Sequence, residues 1–221
     1  MSNVNWKSFI FGSSSIIAGI SHKITKLTNI VGISKQSDAI NEVLFYGTQD
    51  EEKKQIGLNN LFCIFYVIAH ASRSVDICMP TLDSDTMSKC LINVQKREKN
   101  YAQVRIIVHN TGTLRSLHSF IACGIQVKII TPKIKLEHEF LLIDANCADA
   151  VAIMGSLDYE VNRLNHNRDN TLITSEGTLI KTLKREFDRI WDTETCLQLD
   201  ESSSANETEN SEERINNPTQ A

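Results

Sequence analysis

Six cysteines occur, at positions 63, 78, 90, 123, 147 and 196, but no two stand at Cys-x-x-Cys or a comparable zinc-binding spacing. Such scattered positions in a chain of 221 residues give no disulfide framework either, so reduced thiols are expected, with Cys63 and Cys78 reading as core. No Gly-x-Ser-x-Gly occurs, which excludes a nucleophile elbow built on Ser156, and no glycine-rich phosphate loop is present. A long hydrophobic run is lacking too. The most apolar stretch, Phe9 to Ile20, is interrupted by serines, followed by Lys23, and short of the ~20 apolar residues a spanning helix needs. His70, His109, His118 and His166 are dispersed and define no metal or catalytic cluster by spacing.

A basic balance is also missing. The formal net charge is -4, which argues against a dedicated nucleic-acid binder. That figure hides an asymmetry. Residues 1–37 carry Lys7, Lys23, Lys26 and Lys35 and no acid, whereas residues 200–221 carry six acids against Arg214. Three segments follow: 1–37, basic and apolar, a possible membrane anchor and linker; 38–199, a single folded domain; and 200–221, an acidic disordered tail. The lysines and missing acids of the first segment fit mitochondrial targeting, although presequence arginines are absent. The triplet Asn206-Glu207-Thr208 matches a glycosylation acceptor, a pattern common by chance.

What is present is an alternation of strand and helix patterns. Ala39 to Tyr46 reads as a strand and Gly47 to Gln55 as a charged loop. Leu58 to Ser72 reads as a helix with apolar residues at helical spacing. Strands are expected at Val75–Pro80, Val104–Val108, Ile125–Ile130 and Asn170–Thr174. Helices are expected at Asp83–Arg97, opened by Asp83 or Ser84 as cap, at Thr113–Cys123, closed by Gly124, and at Thr178–Trp191. This pattern predicts an α/β sandwich with a mixed β-sheet flanked by helices.

Two further strands, Glu137 to Asp144 and Ala150 to Met154, are apolar runs bounded by polar residues. The second ends in a Gly155-Ser156 turn. Together with Val43-Leu44-Phe45-Tyr46, Val75-Asp76-Ile77-Cys78, Gly124-Ile125-Gln126-Val127, Asn167-Arg168-Asp169-Asn170 and Glu186-Phe187-Asp188-Arg189-Ile190-Trp191, this stretch resembles the phospholipase D superfamily, in its mitochondrial cardiolipin hydrolase (Zucchini-like) subgroup. The signature of that family is His-x-Lys, four residues, Asp, then Gly-Ser-x-Asn. The resemblance implies a phospholipase D-like sandwich, phosphodiester chemistry on phospholipid or single-stranded RNA, an outer-membrane anchor and a two-fold pairing of single-signature chains. The small zinc loop often carried by this subgroup has no counterpart, because Gly47 to Asn60 contain neither Cys nor His.

The signature is altered at its chemical positions. With Phe140 and Asp144 in register, the histidine falls on Glu137 and the lysine on Glu139. Asp144 and Ser156 match, Asp158 replaces the asparagine, and Asp169 stands where a glutamate is usual. The resemblance assigns histidine to nucleophilic attack and lysine to holding the phosphate; carboxylates supply neither a nucleophilic imidazole nor a cation. His138 is the local fallback nucleophile, yet strand alternation points it to the face opposite Glu137 and Glu139 unless a bulge intervenes.

The leading expectation is therefore a pseudoenzyme with a binding or scaffold role on the mitochondrial outer membrane, facing the cytosol. The rival is an active cardiolipin hydrolase or single-strand RNA endonuclease of small-RNA (piRNA) biogenesis. No cofactor or metal is expected. A Mg²⁺ or Ca²⁺ site on Glu137, Glu139 and Asp158 is a third reading, since hard cations take carboxylates. Expected partners are a second copy in a homodimer, or an active paralogue in a heterodimer that sets His and Lys opposite the carboxylates.

Overall fold

The computed structural model describes residues 39–97, 102–109, 114–131 and 133–193. The expected N-terminal anchor and the acidic tail lie outside them. Seven strands form one sheet: β1 (Asn41–Phe45), β2 (Ser74–Met79), β3 (Gln103–His109), β4 (Gln126–Ile130), β5 (Phe140–Ile143), β6 (Val151–Gly155) and β7 (Asn170–Thr174). Four helices pack on it: α1 (Glu51–Ala69), α2 (Asp85–Gln95), α3 (Leu114–Ala122) and α4 (Gly177–Thr193). The strand order is β1-β7-β6-β5-β2-β3-β4. β2, β3 and β4 are parallel to one another, while β5, β6, β7 and β1 pair antiparallel, so the sheet is mixed as expected.

Helix α1 starts seven residues before the expected Leu58, inside the segment read as a loop. Its first turns are charged and largely exposed, so they carry no apolar period to read; the signal was Asp50, whose side chain accepts from the Lys53 amide as N-cap, with Glu51 and Glu52 favourable at the dipole's positive end. Ser84 caps α2 in the same way through the Met87 amide. β5 is also shorter than its apolar pattern suggested. Its ladder begins at Phe140, and residues 137–139 lead into it as extended chain. The five cysteines among the described residues are free thiols; Cys78 is buried as expected, whereas Cys63 is only half-buried.

Alternation along the strands builds two cores. Leu141, Ile143, Ile153, Val75, Ile77, Val104 and Ile106 face α1, α2 and α3, while Phe140, Leu142, Ala152, Cys78 and Ile107 face α4 through Ile180, Phe187 and Ile190. On the α4 face, fully buried Asp76 is clamped by the Arg105 guanidinium, at 2.8 Å to each carboxylate oxygen. Lys184 lies 3.8 Å from Asp76 and also bonds Asp188, and the Arg105 guanidinium stacks over Phe187 and Trp191. The buried charge is thus paired and hydrogen-bonded.

The two ends of the sheet differ in role. At the end where β5 closes, Asp144 is buried with φ 52° and accepts from the amides of Ser72, Arg73 and Ser74 and from the Ser72 hydroxyl, at 2.6–3.0 Å. Burial raises its pKa, but these donors together outweigh that and hold it below the usual carboxylate value. Asp144 therefore fastens the turn between α1 and β2. Removing the carboxylate leaves several half-buried amides without an acceptor. Asp144→Ala is expected to destabilise the fold by about 3 kcal/mol or more, read by urea unfolding at neutral pH. Because the folded pKa is lowered, the difference from wild type should shrink as pH falls through it; a difference within measurement error at neutral pH would contradict this role.

Candidate active site

The opposite end of the sheet gathers the C-terminal ends of β1, β2 and β6 and the N-terminal ends of β5 and β7. Here the chain turns sharply at Gly155. With φ 152°, its backbone sits so close to β7 that an added Cβ would lie 2.1 Å from the Asn170 carbonyl oxygen. Glycine thereby lets Ser156 approach β7. The Ser156 amide donates to the Asn170 carbonyl, the Ser156 hydroxyl donates to Asp169 Oδ1 at 3.0 Å, and the Asn170 amide donates to Ser156 Oγ at 3.4 Å.

Pairing of β5 with β6 continues one residue beyond the ladder, since the Gly155 amide donates to the Glu139 carbonyl at 3.4 Å. Glu139 thus follows the alternation of Leu141 and Ile143. Half-buried, it has its pKa raised by desolvation first, then by the charges of Asp169 and Asp158. Buried Tyr159 lies in the same field: burial chiefly, and Glu139 next, push its phenol well above the ordinary value. Asp158 is partly neutralised locally. Its carboxylate takes the Arg163 Nε–H at 2.8 Å and the Glu160 amide at 2.9 Å. Glu160 reaches back to Thr86 and Ser84 at the start of α2, tying the segment after β6 to the opposite layer. Glu137 is exposed.

His138 lies on the other face. Its ring stacks on Phe140, with centroids 5.6 Å apart, and its Nε2 is 4.0 Å from Glu186 on α4. No bulge re-aims it toward Ser156. Asp144 is also remote: five residue steps separate it from Glu139, about 16 Å along an extended chain. Of the sequence-predicted positions, the structure brings together Glu139, Ser156, Asp158 and Asp169, leaves Glu137 on the rim, and places His138 and Asp144 elsewhere.

Sequence reasoning did not single out the cleft beside this cluster. It has a volume of about 550 Å³ and is lined by Gly47, Thr48, Gln49, Asn165, His166, Asn167 and Arg168. Asn165 Oδ1 accepts from the Gly47 amide at 2.9 Å, and at Gly47 (φ 89°) an added Cβ would lie 2.3 Å from the Asn167 carbonyl oxygen, so the two loops close on each other. The run Asn165-His166-Asn167-Arg168 after β6 was the available signal; His166 looked isolated because Gly47, Thr48 and Gln49, which line the cleft with it, are distant in sequence. Among the described residues, no group of three or more His, Cys, Asp or Glu is arranged to hold a metal ion, so the carboxylates do not form the cation cage considered from sequence.

The mixed seven-stranded sheet with Gly-Ser and Asp at one strand end defines a phospholipase D-type fold. Residues 64–191 match the family described as "Cardiolipin synthase, PLD-like domain", and the chain belongs to that family. It is 28% identical over 131 residues to a mitochondrial cardiolipin hydrolase of Xenopus laevis, covering 55% of this chain and 56% of the relative. Over 204 residues it is 22% identical to one of Xenopus tropicalis, covering 82% and 91%. The human protein of that name is 27% identical over 131 residues, 55% of this chain and 47% of the relative. Two of these three matches thus span about half the relative's length. Among solved structures, NucT from Helicobacter pylori superposes with TM-score 0.56 at 15% identity over 72% of this chain and all of that one. Nuc from Salmonella typhimurium, a phospholipase D family member, superposes with TM-score 0.56 at 14% identity, over 73% of this chain and all of that one. These two likenesses concern the fold.

The crowding of carboxylates has a measurable consequence. A raised folded-state pKa at Glu139 means that stability falls as pH rises from the ordinary value of 4.5 through the folded value. Glu139→Gln removes the charge that burial, Asp169 and Asp158 oppose. The variant is expected to melt higher than wild type at neutral pH, with the difference vanishing below the ordinary Glu pKa. A variant less stable than wild type at neutral pH would contradict the assignment.

Proposed function

We propose that this chain is a catalytically silent member of the cardiolipin hydrolase-like branch, acting through binding rather than hydrolysis. One observation carries this reading: carboxylates, Glu137 and Glu139, stand at the positions of the family's histidine and lysine. The placement of His138 against Phe140 and Glu186, on the face away from Ser156, supports it by removing the local substitute nucleophile. Phosphoryl transfer needs a nucleophile and positive charge aimed at the phosphate oxygens. Glu139 and Asp169 instead present negative charge there, with Asp158 partly neutralised by Arg163, and repulsion between an anion and one carboxylate a few ångströms away is several kcal/mol at intermediate dielectric.

The names of the relatives suggest where such a module would work. A mitochondrial association, with a scaffold role on a membrane surface, fits them and the lysine-rich, acid-free residues 1–37. Among the described residues no helix is long and apolar enough to cross a membrane. The working unit is a homodimer or a pairing with an active paralogue.

Purified full-length chain, assayed on a chromogenic phosphodiester, cardiolipin vesicles and single-stranded RNA, is expected to show no turnover above a heat-denatured control. Turnover abolished by Glu137→Ala or by His166→Asn would overturn the reading; the latter would place the missing imidazole in the cleft. Sedimentation at mildly acidic and mildly alkaline pH tests the homodimer, which should strengthen on acidification as Glu139, whose pKa is raised, protonates. A monomer at both, at micromolar concentration, would leave the paralogue pairing.

A further inference from the structure

Beneath the acidic cluster lies a polar floor whose hydrogen bonds the fold leaves incomplete. Glu139, Gly155 and Thr171 stand in one cross-strand row, through the Gly155–Glu139 backbone contact and the Gly155–Thr171 register. Glu139 and Thr171 are thus two strand spacings apart, about 10 Å, on the face that α1 and α2 cover. Gly155 contributes no side chain between them. Tyr46, following β1, borders the row: its amide donates to the Asp169 carbonyl at 2.9 Å, and its ring lies against α1, 3.3 Å from where a Cβ at Gly57 would stand. Tyr46 and Thr171 are 6% and 0% exposed, and neither hydroxyl has a hydrogen-bond partner among the described residues. Burial pushes the Tyr46 phenol up to about 12; the nearby Thr171 hydroxyl opposes this, and Cys63 and Asp169 add to it. Both hydroxyls keep acceptor lone pairs that are costly to leave unmet in a buried setting.

Above this floor sit the half-buried Glu139 and Asp169 carboxylates. The Ser156 hydroxyl occupies one Asp169 oxygen, and Arg163 neutralises Asp158, but among the described residues no cation pairs with Glu139 or Asp169. The surroundings do not reverse that sign. Asp50, Glu51, Glu52, Asp83 and Asp85 are exposed on the segments that follow β1 and β2, at the same end of the sheet. Lys53 and Lys54 pair with Asp50 and Glu51. After these pairs the acids still outnumber exposed Lys133, Lys135 and Arg168, so the field at this end favours a cation.

We propose that this sheet end binds the primary ammonium group of a small amine, held by the Glu139 and Asp169 carboxylates and by the Thr171 and Tyr46 hydroxyl oxygens; the assignment rests on the binding role proposed above and names the chemical class of the ligand. An ammonium group carries three N–H donors, and the site offers charged and neutral acceptors on two sides of it. The length of the Glu139 side chain and two bonds of about 2.8 Å bridge the row from Glu139 to Thr171. Other occupants fit less well. A divalent metal ion takes six or more oxygens, and among the described residues no three His, Cys, Asp or Glu side chains are arranged to hold one. A water molecule satisfies the hydroxyls but leaves both carboxylate charges uncompensated. An anion meets repulsion from the same carboxylates.

Thermal unfolding of the full-length chain at neutral pH and constant ionic strength, titrated with ethanolamine, putrescine, tetramethylammonium or potassium, tests the site. Ethanolamine and putrescine are expected to raise Tm saturably, with a roughly millimolar Kd for ligands of so few atoms. Tetramethylammonium, which has the charge but no N–H donor, is expected to leave Tm unchanged. Glu139→Gln should weaken ethanolamine binding about tenfold or more, by loss of a charge-assisted bond. Thr171→Val, which keeps the shape and removes the hydroxyl, should weaken it about three- to tenfold, and Tyr46→Phe serves the same purpose if that variant does not fold. Equal shifts with tetramethylammonium, or amine shifts that survive both substitutions, would overturn the proposal and assign the effect to screening or to the acids of residues 200–221. Potassium matching ethanolamine, with the same loss in Glu139→Gln, would replace the amine by a bare monovalent ion. No shift in wild type would overturn it and leave a buried water only. Binding is read here without turnover, so its absence is distinct from the appearance of hydrolysis, which alone overturns the silent-enzyme reading.

Discussion

The register of β5 is the constraint on which the site depends. Four apolar residues, Phe140 to Ile143, lie between antiparallel β2 and β6, and the two cores on either side fix which residue faces which layer. A slip of one residue would exchange Phe140 and Leu142 for Leu141 and Ile143 and bury the wrong set on both faces. Asp144 locks that register from the far end by taking three backbone amides of the α1–β2 turn. Once β5 is fixed, the residues entering it have no choice. Glu139 goes with Ser156, Asp158 and Asp169, and His138 goes with Phe140 and Glu186.

The same constraint separates what this chain keeps of its family from what it lacks. Asp144, Gly155 and Ser156 shape the sheet ends: one holds a turn, one permits close approach of backbone, one bridges β6 to β7 through Asp169. Their roles are satisfied within the fold without a ligand. Glu137 and Glu139 have no comparable structural task. Glu139 carries an electrostatic cost, seen in its raised pKa, while the sheet around it retains its buried, paired core. Structural and chemical parts of the signature are thus physically separable, and a chain can lose one while retaining the other.

Much of this was legible in the sequence because alternation is a strong signal. The mixed sheet, the opposite facing of His138 and Glu139, and the turn at Gly155-Ser156 follow from apolar periods and turn residues. The early start of α1 was not legible from periodicity, since Glu51 to Gln55 face solvent and only the cap at Asp50 marks them. The remoteness of Asp144 needed the strand length, because proximity in a motif says nothing about which end of a strand a residue occupies. The cleft of His166 and Arg168 needed the closure of two loops, Gly47–Gln49 and Asn165–Arg168, whose contact spans more than a hundred residues and leaves no local pattern.

The central claim is that the sheet end retains the shape of a phosphodiester site and that two side chains silence it. The most direct measurement is single-turnover hydrolysis of a labelled phosphodiester by wild type beside the Glu137→His, Glu139→Lys double variant, both shown to be folded. The result expected is cleavage above background in the double variant and none in wild type. Cleavage by wild type at a rate the double variant does not exceed would contradict it.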